Sequence, residues 1–80
     1  MKNEPKSYWL PDGRIIFAAQ FNKLAGDKPN WWIAVRQDRG NHNTMTKFKG
    51  AGRIKGYFTE SECQFDMRKY AESKGLKPAY

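Results

Sequence analysis

Hydrophobic and polar positions alternate with a period of two in three stretches of this chain, and a fourth repeats with the period of a helix. Residues 14 to 21, RIIFAAQF, place Ile15, Phe17, Ala19 and Phe21 on one face and Arg14, Ile16, Ala18 and Gln20 on the other, the pattern of a strand. Residues 31 to 37, WWIAVRQ, alternate Trp31, Ile33 and Val35 with Trp32, Ala34 and Arg36. Residues 53 to 59, RIKGYFT, set Ile54 and Phe58 against Arg53, Lys55 and Tyr57. Between the second and third stretches, the segment from Thr44 to Lys49 is able to extend a strand. Pro11-Asp12-Gly13 and the segment NKLAGDKPN, 22 to 30, carry turn chemistry.

The helical period begins after Thr59. Thr59 with Glu62 three residues on makes a capping box. Cys63, Met67, Tyr70 and Ala71 then fall on one stripe. Gly75 supplies the stop, Leu76 its apolar contact, and Pro78 bars continuation. The predicted helix runs over 60 to 74, with acids at its start and lysines at its end. Phe65 lies off the stripe, which leaves it either against the N-terminal arm or free as a contact point.

The expected fold is α+β: a three-stranded antiparallel sheet packed on one face by a single C-terminal helix. The expected organisation is one domain over 1–80, with an arm at 1–13, the sheet within 14–59 and the helix at 60–75. Eighty residues support no more than that. The predicted buried layer takes Ile15, Phe17 and Phe21 from the first strand, and Trp31, Ile33 and Val35 from the second. Ile54 and Phe58 complete it from the third, against Cys63, Met67, Tyr70 and Ala71 of the helix.

One helix covers one face of such a sheet. By the same alternation the other face shows Arg14, Gln20, Trp32, Arg36, Arg53, Lys55 and Tyr57, without an acid. Charge sharpens this reading. The chain holds 15 basic and 8 acidic residues, a net +7, which favours anionic partners. The polar segment 38 to 52 adds Arg39, Lys47 and Lys49 as phosphate clamps. Guanidinium groups contact phosphates and guanine edges, and rings stack on bases. A second arrangement remains open, in which Tyr8 and Trp9 of the arm lie across this face and make Trp32 and Tyr57 a second small core.

Other chemistries find little purchase. Cys63 is the only cysteine and His42 the only histidine, so neither an intramolecular disulfide nor a zinc finger is expected. His42 has no nucleophile or carboxylate orienter nearby in sequence. Gly50-Ala51-Gly52 lacks the rest of a phosphate-loop signature. Glu60, Glu62 and Asp66 suit the helix dipole. The chain is expected to be no enzyme and to use no cofactor, metal or small-molecule substrate. No apolar run approaches the roughly 20 residues of a membrane span, and the N-terminus lacks a signal-peptide core. A cytoplasmic protein without a membrane partner is expected.

Short motifs add a resemblance. Trp32-Ile33-Ala34-Val35-Arg36 has the Trp-x-Ala-x-Arg form of a strand in plant ethylene-response-factor DNA-binding domains. Gly56-Tyr57-Phe58-Thr59-Glu60 comes close to that family's passage from strand to helix. The pattern is also similar to the arm-binding domains of tyrosine integrases. The resemblance spans roughly residues 14 to 74. It departs from the plant pattern in a shorter helix start, a long linker at 38–52, and Cys63, Met67 and Tyr70 in place of an alanine-rich stripe. It implies a sheet laid in the DNA major groove, with Trp32 and Arg36 as readers beside Arg53 and Lys55.

The expected function is therefore binding of nucleic acid, DNA before RNA and duplex first, by an accessory factor of a phage or mobile element. The alternative is a small phage-type inhibitor or adaptor docked on an acidic protein surface, where Trp and Arg also serve as anchors. An RNA binder with bases stacked on the open sheet is a third reading.

Overall fold

The computed structural model describes residues 5–21, 26–37 and 45–79. Within them lie strands β1 (Ser7–Trp9), β2 (Arg14–Gln20), β3 (Trp31–Gln37) and β4 (Thr46–Lys47), followed by helix α1 (Glu60–Lys74). The strands form one antiparallel sheet in the order β1-β2-β3-β4, each paired with its sequence neighbour. The α+β class and single helix agree with the sequence reading. The strand count does not: the sheet has four strands rather than three.

Two differences produce that count. β1 lies in the predicted arm, where three residues are too few to show alternation. β4 falls inside the segment Thr44 to Lys49. The predicted strand at 53–59 is absent. That segment follows Gly52 at φ 76° and contains Gly56 at φ 92°, and a turn closes through the Gly56 N–H donating to Arg53 O at 3.2 Å. A backbone in this left-handed region leaves the pleat, so alternation in RIKGYFT is coincidental. Tyr57 alone pairs with the sheet, in an antiparallel bridge to Trp31.

The C-terminal segment closes the other side of the sheet. The Trp9 N–H donates to Lys77 O at 2.8 Å, and the Ala79 N–H donates to Ser7 O at 2.9 Å, bridging Tyr8 to Pro78. An unpaired strand edge is a template for association, and here part of β1 is occupied by residues 77–79.

Helix α1 forms where local signals place it. The Glu62 N–H donates to Thr59 Oγ1 at 3.2 Å, and Gly75 adopts φ 68° with its N–H directed to Ala71 O and Glu72 O. Its buried stripe is Cys63, Met67 and Ala71. These side chains pack against Tyr8, Ile16, Ile33, Val35 and Tyr57, with Trp31, Phe48 and Tyr70 half-buried at the margin. Phe48 and Tyr70 meet edge to face, with centroids 5.8 Å apart.

Register fixes which face of each strand meets the helix. Ile16 lies opposite Val35, and Ala18 opposite Ile33. Side chains directly across an antiparallel pair share a face, so Ile16 and Ala18 point to α1. β3 has the predicted phase and β2 the opposite one. Ile15 is fully buried but on the far face, and Phe17 and Phe21 are half-buried there. Ile54 and Phe58, predicted as core, are 87% and 57% exposed, whereas Tyr57, predicted on the open face, is 1% exposed.

Candidate nucleic-acid interface

The face of the sheet turned away from α1 is built in rows. Trp9, Ile15 and Arg36 form one row, Ser7, Phe17, Ala34 and Lys47 the next, and Ala19 with Trp32 the third. Phe21 follows Ala19 by two residues, and its N–H donates to Asn30 O at 2.9 Å, which carries the same phase past the end of β2. Large rings stand beside small neighbours: Phe17 faces Ala34, and Trp32 faces Ala19. Buried Ile15, Ala19 and Ala34 make the floor. Trp9, Phe17, Phe21 and Trp32 are half-buried above it.

Cations lie over these rings. The Lys47 ammonium sits 3.7 Å from the centroid of the Trp32 ring and 5.6 Å from that of Phe21. The Arg36 guanidinium lies 5.5 Å from the Phe17 centroid. Both fall within the range at which a ring's negative face attracts a cation. Phe21 meets Trp32 edge to face at 5.9 Å. No strand residue of this face is acidic.

Trp32 is also held from below by the loop that was expected to be a strand. Its Nε1–H donates to Ile54 O at 3.1 Å. Gly56 backs the ring so closely that a Cβ there would lie 2.6 Å from Trp32 Cε2. Tyr8 and Trp9 do not lie over Trp32 and Tyr57 as a second core. Tyr8 joins the helix-side core, and Trp9 stands at the far end of the face from Trp32.

A small cleft of about 40 Å³ opens beside Trp32. Phe48, Ala51 and Ile54 supply apolar walls, and Lys47, Lys49 and Arg53 supply positive charge. Arg53 also lies 5.3 Å over the ring of Tyr57.

Tyr57 anchors this loop to the helix. Its hydroxyl donates to Asp66 Oδ2 and accepts from the Arg53 backbone N–H, both at 2.8 Å. Burial pushes the phenol up to about 12, and its hydrogen bond to the Asp66 carboxylate acts in the same direction. Burial likewise pushes the Cys63 thiol up to about 12, with the Asp66 and Glu60 carboxylates adding to the effect. A thiol held protonated in a core is a packing group and not a nucleophile.

The structure thus gathers Trp32, Arg36 and Lys47 on one face and sets Lys49 and Arg53 on its rim. Lys55 is exposed on the same loop, between the two residues that hold Trp32. Tyr57 is removed to the core. Arg14 points away from the face: its phase is that of Ile16, and its Nε pairs with Asp12 Oδ2 at 2.8 Å. The Arg14 backbone N–H, with that guanidinium, lowers the pKa of Asp12. Arg39 and His42 lie outside the described residues. Phe65, off the helix stripe, is 54% exposed beneath Lys69.

Sequence reasoning missed Trp9, Phe17 and Phe21 as members of the face. The available signal was the run IIFAA, apolar on both sides, which marks a strand covered on both faces rather than a half-buried one. Among the described residues no group of three or more His, Cys, Asp or Glu side chains is placed to hold a metal ion, and no helix is long and apolar enough to cross a membrane. Comparison with known proteins finds no matching family model, no matching curated protein and no matching solved structure.

Proposed function

We propose that this chain is a small, non-enzymatic nucleic-acid-binding protein. The observation that carries the reading is the Lys47–Trp32 pair and its setting. An exposed ammonium rests on an indole within a face of further rings and Arg36, free of acidic strand residues, beside a cleft rimmed by Lys49 and Arg53. Solubility alone is served by mixed charges and few exposed rings. A surface that pairs cations with aromatic planes matches a polymer that alternates phosphates with bases. The net charge of +7 supplies long-range attraction to it.

The sequence places duplex DNA first. The tertiary arrangement adds Trp9, Phe17 and Phe21 to the face, moves Arg53 to its rim and takes Lys55 and Tyr57 off it. This favours stacking over insertion into a groove. Binding is tested by titrating labelled DNA and RNA at several salt concentrations. Affinity should fall steeply as salt rises, because phosphate contacts release counterions. Absence of binding to every nucleic acid at low salt refutes the proposal.

A second reading is favoured by a different observation. Ile54, Phe58 and Phe65 are large apolar side chains left exposed, and aromatic side chains are enriched at the cores of protein interfaces. The chain would then be an inhibitor or adaptor seated on an acidic protein. Phe65→Ser should abolish that activity and leave nucleic-acid affinity unchanged.

A further inference from the structure

We infer that the open face takes an unpaired strand, with successive bases stacked on Trp32 and Phe17 and the phosphates led past Lys47, Lys49 and Arg53. The inference rests on the nucleic-acid reading of the same face.

Geometry supplies the first reason. Phe17 lies opposite Ala34, and Trp32 lies opposite Ala19, so the two rings occupy a diagonal across adjacent strands. Diagonal neighbours stand about 7–8 Å apart, close enough for one continuous strand to lay neighbouring bases on both. Ala34 and Ala19 keep the positions beside the rings low. Trp9 and Phe21 extend the row of rings in either direction.

Chemistry supplies the second. A duplex presents base edges to a protein and keeps base faces stacked inside. Edges are read by polar side chains, above all Arg, Asn and Gln. Among the described strand positions of this face Arg36 is the single such group and none carries Asn or Gln, and Gln20 has the phase of the helix side. What the face offers is ring area, which only an unstacked base uses fully.

The cations supply the third. Lys47 and Arg36 occupy the ring faces in the free protein. Both are long, flexible side chains. An arriving base takes the place of the ammonium on Trp32, and Lys47 turns to the adjacent phosphate. Because Lys47 also lines the cleft with Lys49 and Arg53, that movement brings it to the other two cations. The ring gains a base and the phosphate gains a partner in the same step.

The test uses the whole chain and four labelled probes: a short oligothymidylate, an oligouridylate of equal length, and mixed-sequence single-stranded and duplex DNA. Anisotropy should show the unpaired probes binding more tightly than the duplex. Comparison of oligothymidylate with oligouridylate separates DNA from RNA as the source of the strand. Phe17→Leu keeps apolar volume but removes the stacking plane. It should weaken unpaired-strand binding about tenfold. In the unmodified protein, the aromatic protons of Trp32 and Phe17 should move upfield in NMR spectra as bases stack on them, a readout independent of any variant. Tighter duplex binding with no ring-current shift overturns this inference and leaves the nucleic-acid reading standing. No binding to any probe overturns both.

Discussion

The phenolic oxygen of Tyr57 joins two parts of the molecule that are not neighbours in sequence: it donates to Asp66 on α1 and accepts from the backbone of Arg53, both at 2.8 Å. Through it the helix fixes the loop that carries Ile54 and Gly56, and these in turn hold Trp32. Tyr57→Phe keeps the ring and removes both bonds. The half-buried carboxylate loses a donor, and the Arg53 N–H loses its acceptor. The expected cost is about 1–3 kcal/mol, measured as a lower urea midpoint. Trp32 should also become more accessible to a fluorescence quencher. Unchanged accessibility would show that the loop is held by other contacts.

Alkaline pH should unfold the protein earlier than its charge suggests. Tyr57 is raised from 10.0 to about 12 and Cys63 from 9.0 to about 12. For both, the folded state favours the protonated form. The stability they contribute is present below their unfolded pKa values and is lost as pH rises from about 9 through about 12. Urea midpoints should therefore decline over that interval. Cys63→Ala should remove the early part of the decline and Tyr57→Phe the later part. A midpoint independent of pH up to about 12 would contradict this account.

Gly56 and Gly13 allow a controlled comparison. Both have positive φ, 92° and 90°, but a Cβ at Gly13 meets nothing within 4 Å whereas one at Gly56 strikes Trp32. Gly13→Ala should cost about 1–2 kcal/mol, the conformational penalty alone. Gly56→Ala should cost about 1–3 kcal/mol more, since the indole must shift. Tryptophan emission should move to the red in the second variant only. Equal costs would mean that the indole yields freely.

Salt dependence reports the phosphate track. Lys49→Ala and Arg53→Ala each remove one exposed cation from the rim of the cleft. Each should lower the slope of log affinity against log salt by about 0.7 for a single strand, or about 0.9 for a duplex. Arg14→Ala, on the other face and already paired with Asp12, should leave the slope unchanged. A drop with Arg14→Ala equal to the others would place the phosphates elsewhere.

The amino-acid sequence by itself determined the elements whose signals are local. Thr59, the Cys63–Met67–Ala71 stripe and Gly75 defined α1, because caps and helical periodicity act within a few residues. β3 was legible in extent and phase, because Trp32 and Arg36 cannot share a core with Ile33 and Val35. Only tertiary structure decided the rest. β2 is apolar on both faces, so its alternation has no preferred direction, and its pairing with β3 and contact with α1 chose Ile16 over Phe17 for the core. β1 is three residues long and exists through its neighbours, β2 and the C-terminal segment. The 53–59 segment alternates like a strand, yet Gly52 and Gly56 turn it into a loop that buries Tyr57 and braces Trp32. Facing direction in a strand is set by what lies across from it and above it, and neither is written in the strand's own residues.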